Sequence, residues 1–190
     1  MVAADPRPVF DRPLARLLSA VCRDIDAFEG LDTTSILPVA MSAHAAAAAS
    51  VRSLSDVAAS VKVDGKARCW ELALRPPFFL TGDPTRRLAT LVHELLHLDP
   101  KVNGRLLPER RHRVRSHGAH EKQARTLTRQ WLQVGDLTLL GCLGHHGEIL
   151  IRQWRRRPVP GTEKQRFTGR DLFVAPIMMK TTTRFRSVWW

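Results

Sequence analysis

Apolar positions recur at helical spacing early in the chain. Leu14, Leu17, Leu18, Val21, Ile25 and Phe28 draw one stripe, which predicts a helix from about Pro13 to Glu29. Asp11 and Pro13 suit its start and Gly30 its end. A short strand is expected over Ser35–Met41. The Ala45–Ala49 run that follows has high helix propensity but carries no face. From Cys69 to Leu74 the pattern switches to period two, with Trp70, Leu72 and Leu74 on one face, and this predicts a strand. Pro76-Pro77 ends it, and Phe78-Phe79-Leu80 is expected to enter the core. A second helix is predicted from Pro84 to about Leu98, with Asp83 as its N-cap and Pro100 as its stop. A third is predicted from His117 to Val134, capped by Ser116, closed by Gly135 and striped by Leu127, Trp131 and Val134. Between them, Lys101–Ser116 reads as a basic, turn-rich connection. Glu148–Trp154 and Leu172–Ala175 read as strands, separated by a loop with Pro158, Pro160 and Gly161. This order predicts one α+β domain over residues 1–190, with a core of about 11–155 and a basic strand or tail over 156–190. About three helices would pack on a small, mostly antiparallel sheet.

The chemistry concentrates in the second predicted helix. His93-Glu94-Leu95-Leu96-His97 is an H-E-x-x-H pattern. At about 100° per residue, His93 and His97 fall one turn apart on one face, where both imidazoles can reach one ion. Glu94 lies beside that ion without being a ligand, placed to take a proton from a metal-activated water. A catalytic zinc takes three protein ligands and keeps one position open. His117, His120 and Glu121 share one face at the start of the third helix and are the candidates for the remaining ligand. His117 is preferred because Gly118 permits close backbone approach; His120 is the alternative, and Glu121 is chemically sound. Asp99 would either orient a ligand or terminate the helix. Cys142, His145 and His146 cluster in a Gly-rich turn but lack a complete ligand set. An Arg of the 101–115 loop could polarise a tetrahedral oxyanion, and the spacing does not single one out.

His93–His97 followed by His117-Gly118 resembles the small zincin-type metallopeptidases, among them the SprT-like proteases and phage metallopeptidases. The similarity spans about Trp70 to Trp131. It implies a zincin-like fold, Zn²⁺ on His93, His97 and His117, Glu94 as general base, and a protein or peptide substrate. It also implies that the strand near Trp70–Leu74 borders the cleft, where a peptide would add as an extended strand. Glu121 stands where that pattern carries an aromatic, and no cysteine-rich zinc ribbon follows.

Composition narrows the setting. The chain has 190 residues, 44% hydrophobic and 25% charged, which excludes a wholly disordered polymer. No apolar run reaches the ~18–20 residues of a membrane span. The opening segment lacks the basic and apolar regions of a secretory signal. Three dispersed cysteines do not form a disulfide framework, so a reducing cytoplasm is expected. A net charge of +12, carried mostly by Arg, makes nucleic acid a candidate partner. The alternative to a peptidase is therefore a basic nucleic-acid-binding or regulatory protein on a zincin core. Trp189-Trp190 could then stack on bases.

Overall fold

The structure, a computed structural model, describes residues 11–40, 47–54, 62–63, 66–80, 83–107, 117–144, 147–152, 163–167 and 170–177. Its architecture is α+β. In chain order the elements are α1 (Asp11–Asp24), β1 (Ile36–Ala40), β2 (Ala49–Ser53), β3 (Lys62–Val63), β4 (Lys66–Ala67), β5 (Trp70–Leu74), α2 (Pro76–Leu80), α3 (Pro84–Leu95), α4 (His117–Val134), β6 (Gly147–Arg152), β7 (Glu163–Phe167) and β8 (Arg170–Ile177). The first predicted helix is shorter than its apolar stripe. Ile25 turns extended at φ −125, and Asp26–Phe28 continues as a 3₁₀ turn that keeps Phe28 in the core. Gly30 then takes φ +84, a conformation that suits glycine.

The main sheet runs in the order β2-β5-β1-β6-β8-β7, and β3 pairs with β4 separately. It is mixed: three of the five strand pairings are antiparallel, as expected for most of the sheet, and two are parallel. β1 pairs parallel with both β5 and β6, whereas β2–β5, β6–β8 and β7–β8 are antiparallel. The reason is long-range: β1 and β5 are joined by a crossover through β2, and period-two patterning does not encode strand direction. β7 lies where a loop was expected. The residues after Pro76 fold as a short helix in which Phe78 is buried and Leu80 is exposed.

β5 is buried at all five positions because β1 and β2 take its two edges. Its one acid, Glu71, is held by Arg52 of β2 through Nε at 2.7 Å and Nη2 at 3.0 Å. α4 packs against α3 and α1, α3 lies against β2 and α1 against β6, and Trp70 and Trp131 are fully buried in the shared core. Gly135 closes α4 against Trp131; a Cβ there would meet the indole at 2.3 Å, so the close approach requires glycine.

Arg87 is the unexpected core residue. It lies on α3, is fully buried, and ties three segments together. Its guanidinium donates to the carbonyls of Phe78 (3.0 Å), Phe79 (2.8 Å) and Leu143. Those carbonyls end α2 and the 3₁₀ segment Leu137–Leu143, where chain ends need donors. Arg87→Leu removes charged hydrogen bonds and leaves buried acceptors unpaired. It is expected to destabilise the protein by about 3 kcal/mol or more, read as a lowered urea midpoint.

Candidate metal centre

α3 begins as its sequence dictates. Asp83 accepts the Thr85 N–H at 2.8 Å, and Pro84 occupies the first turn. Leu88, Leu91, Val92 and Leu95 bury one face and fix the helix's rotation. The α-helix stops at Leu95, short of the predicted Leu98. Its end tightens: the His97 N–H bonds to the Glu94 carbonyl at 3.1 Å and the Leu98 N–H to the Leu95 carbonyl at 3.0 Å. His97 therefore sits on a 3₁₀-like turn, yet its ring centroid is still 5.2 Å from that of His93.

A small hairpin holds that turn from behind. Leu98 bridges Leu106 in antiparallel fashion, the Leu107 N–H bonds to the His97 carbonyl at 2.9 Å, and the Asp99 N–H to the Arg105 carbonyl at 3.0 Å. Gly104 turns the chain at φ +83. Trp70 Nε1 reaches the Arg105 carbonyl at 3.1 Å and ties the hairpin to β5. Asp99 organises this loop. Its carboxylate accepts the Lys101 N–H at 2.9 Å and Arg105 Nε at 2.6 Å. These bonds, led by Lys101 N–H, hold its carboxyl below the usual carboxylate range. The stabilisation is present above the unfolded pKa of about 3.9 and disappears as pH falls through the lower, folded value. Asp99→Asn is thus expected to destabilise the protein at neutral pH and to flatten the acid limb of its stability–pH curve. Thermal melts between pH 2 and 7 check this.

α4 supplies the third imidazole. Its buried face runs His120, Ala124, Thr128, Trp131, while Val134, expected on the stripe, is exposed. The ring centroid of His120 lies 4.6 Å from that of His93 and 4.5 Å from that of His97. Potential ligand atoms of His93, His97 and His120 all fall within 4.8 Å of one another, with His93 half-buried and the other two buried. A tetrahedral ion with imidazole nitrogens at ~2.0–2.1 Å sets ring centroids about 5 Å apart, so the set fits a metal ion with small side-chain rotations. The third member is His120, the alternative from sequence. His117, the preferred ligand, opens α4, and its side chain lies outside the described residues. Glu121 is exposed and pairs with Arg125 on the outer face of α4.

Glu94, the neighbour of His93 on α3, is buried. Burial pushes its carboxyl up to about 7, opposed by a hydrogen bond from the Val51 N–H and by the Arg75 charge. Neither Val51 nor Arg75 is signalled in the sequence. Val51 belongs to β2, the terminal strand of the sheet. Even-numbered residues of this stretch face β5, as the bonds Leu54 N–H to Cys69 carbonyl and Arg75 N–H to Ala48 carbonyl show. The main-chain groups of Val51 thus point away from β5 and toward α3. The strand bordering the histidines is therefore β2 and not Trp70–Leu74, whose edges are both paired. Arg75 follows β5 and donates from Nη2 to Ser50 Oγ at 2.7 Å. Its Nε and Nη1 are buried and have no hydrogen-bond partner among the described residues.

Comparison with protein-family models, with curated proteins and with solved structures returned no match. The chemistry must be argued from the site itself.

The remaining candidates are quieter. Cys142 is partly buried, and burial pushes its thiol up to about 12, the opposite of a metal-binding thiolate. His145 and His146 lie outside the described residues, as do Trp189 and Trp190 and the Arg-rich stretch 108–116. The three cysteines are free thiols. Among the described residues no helix is long and apolar enough to cross a membrane.

Proposed function

We propose that this chain is a zinc-dependent peptidase of zincin type. The observation that carries the reading is the convergence of His93, His97 and His120 around one point, with Glu94, next to His93 on α3, buried. Three neutral nitrogens and an adjacent carboxylate are the donor set of a catalytic rather than a closed structural zinc site. When bound, zinc supplies a Lewis acid that acidifies a water and polarises an amide carbonyl.

The chain's own residues do the rest. Glu94 accepts a proton from the attacking water on a carboxylate oxygen and later delivers it to the leaving amine. The Val51 N–H fixes the orientation of that carboxyl. Arg75, anchored by Ser50, brings a guanidinium to the same neighbourhood. Its role is to offset negative charge developing on the substrate oxygen, a task assigned in sequence to the loop 101–115. An extended peptide added along β2 would pass directly over Glu94.

Protein incubated with excess Zn²⁺ and dialysed is expected to retain one equivalent by elemental analysis and to cleave denatured casein. A chelator removes both properties and added Zn²⁺ restores both. Material that returns metal-free, or that holds zinc and leaves a panel of unfolded proteins intact, defeats the proposal.

A further inference from the structure

A second concave site lies away from the histidines and shares no lining residue with them. It is a cleft of about 630 Å³ between α1, the 3₁₀ turn Thr33–Ser35 and the segment preceding β5. Arg16, Ser19 and Arg23 line one wall. They stand at i, i+3 and i+7 on α1 and so form one face of that helix. Thr33 and Thr34 line the opposite wall, together with Arg68.

Three guanidiniums and three hydroxyls surround this space, and among the described residues that line it none is acidic. The adjacent carboxylates are already engaged. Asp24 accepts from Arg23 Nε at 2.8 Å, which leaves the other donors of that guanidinium unused by this bond. Asp32 accepts from Thr34 N at 2.9 Å and Oγ1 at 2.7 Å. Arg68 is the fixed member. Its Nη1 is anchored on the carbonyls of Thr34 and Ile36, while its Nε is buried with no hydrogen-bond partner among the described residues. A guanidinium pinned by backbone carbonyls in a cleft that two further arginines line favours an anion there.

We infer that this cleft seats the phosphate group of a nucleotide-sized phosphate ester. Guanidinium forks match phosphate oxygens bidentately. A tetrahedral group can be approached from both walls, as the cation on each side of the cleft requires. The volume falls within the range of small-ligand sites and is several times that of one phosphate. The concavity favours a compact ligand over nonspecific attraction to the +12 surface, which has no preferred place.

The test is calorimetric titration with inorganic pyrophosphate and with ADP, at 150 mM NaCl and in excess EDTA. The chelator prevents either probe from reporting on a histidine-held ion, so the outcome is independent of the peptidase proposal. Saturable binding with one site per chain is expected for both probes. Arg68→Gln should weaken it at least tenfold. Because Arg68 also anchors two carbonyls, Ser19→Asp is the companion variant. Position 19 is exposed on α1, and a carboxylate there should weaken binding at least tenfold with the melting temperature unchanged. Arg129→Gln, on the exposed face of α4, should leave affinity within twofold. The inference is overturned by absence of saturable binding, by an equal loss in the Arg129 variant, or by a Ser19→Asp protein that binds as well as the parent. A single-stranded 12-mer that binds while neither probe does, and that ignores Ser19→Asp, would likewise overturn it.

Discussion

Replacing Glu94 by Gln is expected to reduce cleavage of unfolded protein by about 10²- to 10⁴-fold, the span associated with removing a general base. The substitution keeps the side chain's shape. An amide still accepts the Val51 N–H through its oxygen but cannot take up a proton. Zinc should remain at one equivalent per chain, because in the proposed site the ion would be held by His93, His97 and His120 and not by the carboxylate. Paired measurements of turnover and metal content therefore separate base from ligand. Loss of zinc in the Gln variant would make Glu94 a ligand. Retained turnover would mean that water is activated elsewhere.

The second large effect concerns the third imidazole. His120→Ala is expected to weaken zinc binding by about 100-fold or more, exceeding the 10- to 100-fold typical of losing a residue that merely supports a ligand. His117→Ala should leave zinc affinity nearly unchanged, since the other three-histidine set stays intact. Competition with a chromophoric chelator measures both. If His117→Ala strips the metal and His120→Ala does not, the assignment made from the ring geometry is reversed. Stability should behave differently from affinity. His120 is buried on the helix face that carries Ala124 and Trp131, so its truncation also leaves a small void against α3. Urea titration in excess EDTA isolates that contribution from the metal's.

The pair of experiments bears on how much of the site can be read along the chain. Two of the three imidazoles and the neighbouring carboxylate are legible because they lie within one turn. Helical spacing aligns His93 with His97 whatever surrounds them, and even the tightening after Leu95 leaves their rings 5.2 Å apart. The caps are equally local. Asp83 and Pro84 start α3 and Gly135 ends α4 through groups within a few residues. The same locality explains why α4 matches its predicted bounds of His117–Val134.

The third imidazole is not local. His117 and His120 differ by less than one turn of α4, and which of them meets α3 depends on how far one helix is displaced along the other. That displacement is set by packing of the face through Ala124, Thr128 and Trp131. Two of those three residues are small or hydroxylic and leave little trace in a hydrophobic pattern, which is why Leu127 and Val134 look like the stripe. The role of β2 is hidden for a similar reason. The Ala-rich entry to Ala49–Ser53 has no period, and only the sheet order makes it the terminal strand whose Val51 N–H faces Glu94. Arg87 is the sharpest case. An Arg on a helix reads as a solvated residue, and it becomes a core residue because three carbonyls from α2 and the 137–143 segment converge on it.

By itself, then, the chain specified its three long helices, the start of α3, the end of α4 and a two-histidine, one-carboxylate turn, because hydrogen bonds and periodic burial act over three or four residues. Tertiary structure alone decided the third histidine, the parallel pairing of β1, the strand beside the base and the buried arginine. Each of these depends on the separation between elements distant in sequence, and that separation is fixed by close packing of side chains rather than by any local preference.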